Sequence, residues 1–269
     1  MVININQSNR PFLMAIKPLW IREKFFWKLY SRNLDRYSYL FDNATLEFAP
    51  HISLKLMETD VSHKMLAFCG FYELLVSRRI TKLAKLGGLM IDVGANYGYY
   101  SCLWAGAGGN NKVIAFEASP RNLSALKHNL LKNRLETQVD VHETAVGKEK
   151  GDLFFDMGPK EQSGWGGLLY ELKSDAIKVP VISLDAIFLK SDYQNINVLK
   201  IDTEGADTWV IQGAEQLLRS HRIRHIFFEE NIVRMEKLGI KPGESQKLLR
   251  DCGYQLDRIG VNEWYASLI

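Results

Sequence analysis

Leu89-Met90-Ile91-Asp92-Val93-Gly94-Ala95-Asn96-Tyr97-Gly98-Tyr99-Tyr100-Ser101 decides how the rest of this 269-residue chain is read. Its first five residues are apolar apart from Asp92 and predict a strand buried on both faces of a parallel sheet. Small residues then turn the chain, and 99–105 can form a helix. A strand, a glycine turn and a helix start make a cradle for a nucleotide. Glycine lets backbone approach a ligand closely, and the first helical N–H groups have no partner within the helix. The spacing narrows the ligand. A dinucleotide fingerprint runs G-x-G-x-x-G, so that a pyrophosphate passes over the helix end. Here Asn96 and Tyr99 occupy the second and third glycine positions, which suits a pyrophosphate poorly. Asp92 at the strand end suits a ligand bearing positive charge, such as the amino group of S-adenosylmethionine.

Outward from this stretch, strands and helices alternate. Upstream, 71–86 reads as a helix stopped by Gly87-Gly88. Downstream, 112–117 is a second strand. Ser119-Pro120 then opens a helix in the favoured order of cap and first-turn proline, running to about Asn133. Strands are expected at 139–142, 198–202 and 224–229, helices at 205–220 and 245–252, and closing strands at 255–259 and 264–267. Between 152 and 182 the helical rhythm lapses into edge or hairpin strands at 153–155 and 178–181. The glycine-rich stretch 158–167 between them reads as a mobile loop. Such alternation implies an α/β doubly wound, mostly parallel sheet with helices on both faces. Ligands in these sheets sit outside the carboxyl ends of the strands. Those ends are Asp92, Glu117, His142, Asp202 and Glu229.

The bulk properties exclude more than they select. The chain is 46% hydrophobic and 24% charged, with a formal charge of +3, too mild a basicity to indicate a nucleic-acid partner. Cys69, Cys102 and Cys252 are scattered, which fits a reducing, cytoplasmic setting better than a disulfide framework. No apolar run has the length of a membrane span, and 11–16 is too short for a signal-peptide core. The six histidines show no metal-ligand spacing, so no metal site is expected.

The chain divides into an extension at 1–65 and a domain at 66–269. Residues 12–36 mix Trp20, Phe25, Phe26, Trp27 and Tyr30 with Lys17, Arg22, Lys24, Lys28, Arg32 and Arg36. Docking of this helix on its own domain is the expectation. Peripheral contact with a membrane surface, or a cover over a substrate pocket, is the alternative. Residues 45–56 alternate and predict a small hairpin broken at Pro50.

At the strand ends, Glu117 can accept hydrogen bonds from both hydroxyls of a ribose. Asp202 and Glu204, two apart, could bind a divalent metal, orient a substrate hydroxyl or take its proton, or one could cap the next helix. His142 could line an adenine pocket or act as a base, or simply face solvent.

Asp92-Val93-Gly94-Ala95-Asn96-Tyr97-Gly98-Tyr99-Tyr100-Ser101, Phe116-Glu117, Ser183-Leu184-Asp185, Leu199-Lys200-Ile201-Asp202-Thr203-Glu204-Gly205-Ala206-Asp207 and Gly213-Ala214 together resemble the FkbM family of S-adenosylmethionine-dependent methyltransferases. Gly70-Phe71-Tyr72-Glu73 resembles the helix entry before that family's cofactor loop. Ala118 and Asp207 stand where the family more often has proline and glutamate. The resemblance covers about 70–260. It implies a class I methyltransferase fold, a Rossmann-like seven-stranded sheet whose last strand is antiparallel. It also implies O-methylation of sugars or natural-product hydroxyls. Cofactor contacts are then expected at Glu73, Asp92, Gly94, Ala95, Asn96, Gly98, Tyr99, Ser101, Glu117, Ala118 and Asp202. Methyl transfer needs an oxygen aligned about 3 to 3.5 Å from the methyl carbon. Asp202 or Glu204 is expected to orient or deprotonate that oxygen, with His142 and Glu229 as further candidates. Trp165, Ser163 and Glu229 are expected near the acceptor, with Trp165 as a lid. A nicotinamide oxidoreductase, or a cofactor-binding domain without catalysis, is the competing reading.

Overall fold

The structure is a computed structural model that describes residues 12–29, 37–169 and 174–268. Tyr30, Arg32 and Arg36 of the expected basic helix lie outside the described residues, as do 1–11. The chain opens with α1 (Phe12–Ala15), α2 (Leu19–Leu29) and α3 (Tyr39–Asp42). A two-residue hairpin follows, β1 (Ala44–Thr45) against β2 (Ser53–Leu54), as the alternation predicts. Next come α4 (Val61–Cys69) and α5 (Leu74–Ala84). Asp60 caps α4 by accepting from His63 N, and Gly70 ends it in the left-handed region at φ 79°.

These elements are not a separate layer. Leu13, Leu19, Phe26, Phe41 and Leu54 pack in one apolar cluster with Phe68, Phe71 and Trp104, and α4 runs across the expected 65/66 boundary. Burying a side chain such as Phe26 stabilises by roughly 1.5–3 kcal/mol, enough to hold a short helix against the domain. Arg22 departs from the basic face read in the sequence. It is fully buried and donates from Nη1 to Cys69 O at 2.6 Å and to Glu47 Oε2 at 2.9 Å. The guanidinium forks between a carboxylate and carbonyls through Nε and Nη1, while Nη2 is buried without a hydrogen-bond partner.

The domain continues with β3 (Gly88–Val93), α6 (Tyr99–Ala105), β4 (Asn111–Phe116), α7 (Pro120–Asn133), β5 (Val139–His142) and β6 (Ala145–Val146). Then come β7 (Gly151–Asp156), β8 (Gly167–Leu169), β9 (Ile177–Ile182), α8 (Leu184–Phe188), β10 (Ile196–Ile201), α9 (Asp207–Gln212) and α10 (Glu215–Arg219). The chain ends with β11 (Ile223–Glu229), α11 (Ile232–Lys237), α12 (Glu244–Asp251), β12 (Tyr254–Arg258) and β13 (Glu263–Leu268). The main sheet has the order β12-β13-β11-β10-β3-β4-β5, parallel except for β13, which runs antiparallel to both neighbours. This is the class I methyltransferase arrangement. Strand alternation divides the core between its two faces. Met90, Val113 and Val198 face α4–α6, while Leu89, Ile91, Val93 and Leu199 face α8–α10 and α12. A second sheet, β6-β9-β7-β8, stands beside it over Phe155, Leu168, Ala206 and Met235.

Two expectations are corrected. The helix over 205–220 is broken into α9 and α10, because Gly213 lies against other backbone. A Cβ there would stand 2.1 Å from Gly147 O. Asp185 accepts from Gln216 N and Leu217 N at 2.9 and 3.0 Å, giving α10 its own start. The stretch expected as a loop at 158–167 holds a 3₁₀ turn, Ser163–Trp165, and hands over to β8 at Gly167.

Candidate active site

Sheet order reverses at β3, between β4 and β10, and the loops leaving these strands open a cleft at their carboxyl ends. The cleft encloses about 100 Å³ and opens to solvent. Gly94 makes the first turn. Its φ of +78° and the absence of a Cβ let it pass Asp202 O, which an added Cβ would meet at 1.9 Å. Gly94 N and Ala95 N both donate to Phe116 O, at 2.9 and 3.0 Å. Glu117 then seals the loop. Its Oε2 accepts from Asn96 N and its Oε1 from Ser119 N, each at 2.7 Å. Burial pushes the Glu117 carboxyl up to about 7, against the pull of those N–H groups.

Of the expected cofactor residues, Gly94, Ala95, Asn96, Tyr99, Glu117, Ala118 and Asp202 line the cleft. Glu73, Asp92, Gly98 and Ser101 do not, and they act from behind. Asp92 Oδ2 accepts from Ser101 Oγ at 2.6 Å, fastening β3 to α6. Burial raises the Asp92 carboxyl to about 6. Gly98 caps α6 at φ 90° and has Leu126 where a Cβ would point. Glu73 accepts from Tyr100 OH at 2.7 Å and stands 4.0 Å from Lys200 Nζ.

Lys200 organises the floor of the site. It is 4% exposed, with Nζ 3.4 Å from Asp202 Oδ2 and 5.1 Å from the centre of the Tyr100 ring. Burial alone would lower its pKa, but Asp202 and Glu73 override this and raise it. The signal for this residue was present in the sequence, as a lone charge within the apolar run Val198-Leu199-Lys200-Ile201.

Glu204 lines the cleft beside Asp202. Its Oε2 lies 3.3 Å from Arg234 Nε and accepts from Asn231 Nδ2 at 3.1 Å. Burial and the neighbouring Asp202 raise its carboxyl to about 7, with Arg234 opposing. Asp207 holds the loop's base, accepting from Thr203 N at 2.9 Å and from Glu229 N at 2.8 Å. Glu73, Asn96 and Glu204 all have positive φ, at 42°, 51° and 54°. Non-glycine residues carry strain in this region, and here they gather around one site.

Two expected residues stand apart. His142 does not line the cleft. Its ring stacks on Phe116 at 5.0 Å, and Nε2 faces Asp140 Oδ2 at 3.2 Å on edge strand β5. Glu229 is set back from the cleft lining, accepting from Asn262 Nδ2 at 3.3 Å. Burial, then Asp202 and Asp207, push its carboxyl up to about 8. Ser163 does reach the cleft, in a clamp that the sequence did not reveal. Its N–H donates to Asp60 Oδ2 at 2.5 Å and its carbonyl accepts from Asn122 Nδ2 at 3.2 Å. His63 packs edge-on against Tyr97 at 4.1 Å and is held by burial at a pKa of about 4. The clamp joins the glycine-rich stretch to the start of α4. Among the described residues, no group of three or more His, Cys, Asp or Glu is placed to hold a metal ion.

The sequence model of the methyltransferase FkbM domain matches residues 92–256, more than half of the chain. The chain belongs to the FkbM methyltransferase family. It is 25% identical over 176 residues to hexuronic acid methyltransferase AglP of Haloferax volcanii, covering 65% of this chain and 67% of that one. Among solved structures, methyltransferase FkbM from Methylobacillus flagellatus KT is 16% identical with a TM-score of 0.46. That match covers 67% of this chain and 43% of the other. An O-methyltransferase from Bacillus cereus, solved in complex with SAH, is 11% identical with a TM-score of 0.43 and covers 74% and 82% of the two chains. In this FkbM-family chain, Trp27, Asp60 and Tyr72 around the cleft lie outside the matched region.

Proposed function

We propose that this chain is an S-adenosylmethionine-dependent O-methyltransferase acting on a hydroxyl of a small molecule, a sugar or a natural product. One observation carries the reading. The cleft lining presents Glu117 and Asn96 at one end and Asp202 and Glu204 at the other, with no Lys or Arg among the described lining residues. A cationic nucleoside fits that donor and acceptor set, whereas a pyrophosphate would meet carboxylates. Glu117 spends one acceptor site per oxygen on backbone N–H groups, which leaves a lone pair on each oxygen for a ribose diol. Asn96 Oδ1 is buried and without a hydrogen-bond partner at the same end, a place for a donor from the ligand. Asp202 would hold the amino group. Bound S-adenosylmethionine supplies an electrophilic methyl on a sulfonium.

The acceptor hydroxyl must lose a proton, and Glu204 is the better base of the two carboxylates. Asp202 is committed to Lys200, while a group titrating near 7 is matched to proton transfer at neutral pH. The relative named as a hexuronic acid methyltransferase supports a sugar as the acceptor.

Calorimetric titration of S-adenosylmethionine and S-adenosylhomocysteine, with NAD as control, tests the reading. Micromolar binding of the first two that is lost in Glu117→Ala is the expected result. A signal from NAD and silence from the other two would overturn it.

A further inference from the structure

The N-terminal helix returns to the mouth of the cleft. Trp27 of α2 and Trp165 of the 3₁₀ turn are each 52% exposed, and both line a groove beside the cleft. The groove is continuous with it, since Ser62, Tyr72, Gly164 and Glu204 line both. A ring seated between the indoles would therefore have Glu204 at its inner edge. Each indole rides on an anchored backbone. Arg234 Nη2 donates to Trp165 O at 2.9 Å, while Trp27 follows the fully buried Phe26, whose ring it meets edge-on at 5.1 Å.

The charge lining this path is one-sided. Asp202 and Glu204 face it, Glu73 and Glu229 stand behind, and no Lys or Arg is among the described residues lining either the groove or the cleft. The nearby cations are engaged: Lys200 with Asp202 and Glu73, and Arg234 with Glu204. Burial first, and the mutual repulsion of these carboxylates second, raise Glu73, Glu204 and Glu229.

We propose that the acceptor is a sugar ring without negative charge, neutral or amino-substituted, held between Trp27 and Trp165 with one hydroxyl directed at Glu204. This deepens the methyltransferase reading above and rests on it. The C–H face of a pyranose is apolar and buries on a flat indole, while its hydroxyls stay at the rim. An ammonium substituent is drawn both to an indole face and to the carboxylates. A hexuronate would bring a carboxylate into a field of like charge, an arrangement that suppresses wrong partners. The selectivity would then come partly from a helix outside the region shared with the family.

Saturation-transfer NMR on the full chain with S-adenosylhomocysteine present tests this. The probes are methyl glycosides of gluco, galacto and manno configuration, their 2-amino analogues and the matching hexuronates. Binding by at least one neutral or amino glycoside, with its hexuronate weaker by about tenfold or more, is expected. Trp27→Ala and Trp165→Ala should each weaken that binding at least fivefold and leave calorimetric S-adenosylhomocysteine affinity unchanged. Equal or tighter hexuronate binding, sugar binding that survives both substitutions, or no sugar binding by a chain that binds S-adenosylhomocysteine would each overturn the proposal. A chain that binds sugar but no S-adenosylhomocysteine would instead overturn the cofactor reading and leave the groove assignment standing.

Discussion

Replacing Lys200 with methionine tests whether the floor of the cleft is held by charge. The substitution keeps a long, unbranched side chain in β10 and removes the ammonium 3.4 Å from Asp202 and 4.0 Å from Glu73. Breaking a buried ion pair from one side leaves an uncompensated buried charge and costs roughly 3–5 kcal/mol. In a chain of this size, about 1 kcal/mol moves Tm by roughly 2 °C, so a drop on the order of 6–10 °C is expected at pH 8. The loss should depend on pH, and its sign follows from Glu73. The Glu73 carboxyl is raised from 4.5 to about 7 by burial, against the pull of Lys200. The folded state therefore holds this proton more tightly than the unfolded chain does, and stability falls as pH rises from 4.5 through 7. Without Lys200 the carboxyl rises further and the fall extends above pH 7. At pH 5.5, with Glu73 protonated in both proteins, the part of the loss that comes from Glu73 disappears, so the drop should be smaller than at pH 8. Lys200 itself contributes no slope in this range, since its raised pKa keeps it charged in both states well below 10. Scanning calorimetry of both proteins at pH 5.5 and 8 reads the effect. A Tm at pH 8 within 2 °C of the parent, or an equal drop at both pH values, would refute the argument.

Two further substitutions probe the loops. Gly94→Ala places a Cβ 1.9 Å from Asp202 O at a φ of +78°. The left-handed conformation alone costs about 1–2 kcal/mol for a residue with a Cβ, and relieving the clash must part the loops after β3 and β10. A fall in Tm of several degrees, and at least a tenfold loss in S-adenosylhomocysteine affinity by calorimetry, are expected. Unchanged affinity would show that the turn does not shape the cofactor site. Glu204→Gln removes the proposed base while keeping an acceptor for Asn231. Turnover should fall by roughly 10²–10⁴-fold with cofactor affinity unchanged, and the rise in rate as pH passes about 7 should vanish. A pH profile that keeps this limb would move the proton to another group.

The fold was legible because the parallel core strands are short apolar runs with glycine and carboxylate punctuation, each read to within two residues at both ends. What escaped depended on distant contacts. α11, six residues at Ile232–Lys237, is too short to show a period. The break at Gly213 answers to Gly147, 66 positions away, and the burial of Arg22 to Glu47 and Cys69. Trp27 joins Trp165 only because α2 packs on α4, a placement no local pattern encodes. For His142 the sequence left a cleft role and a solvent-facing one open, and the structure places it outside the cleft lining. Asp140 and His142, two apart on edge strand β5, share the sheet face of their β4 partners Ile114 and Phe116.

The strand-end carboxylates illustrate the same parity. Asp92, Glu117 and Asp202 were read as equivalent strand ends, yet only the last two line the cleft. In the sheet Val93 pairs with Phe116 and with Ile201, while Asp92 pairs with Ala115 and Lys200. Glu117 and Asp202 therefore lie one step beyond the last paired residues, level with Gly94, and project where the sheet has ended. Asp92 lies one layer lower, beside Lys200, with its side chain on the Met90 face and directed to Ser101 of α6. The distinction follows from counting. Asp92 is followed by one more apolar residue, Val93, before the glycine, whereas Glu117 and Asp202 come directly after the last apolar residue of their strands. A carboxylate inside the final pair fastens the loop from behind, and one just past it meets the ligand.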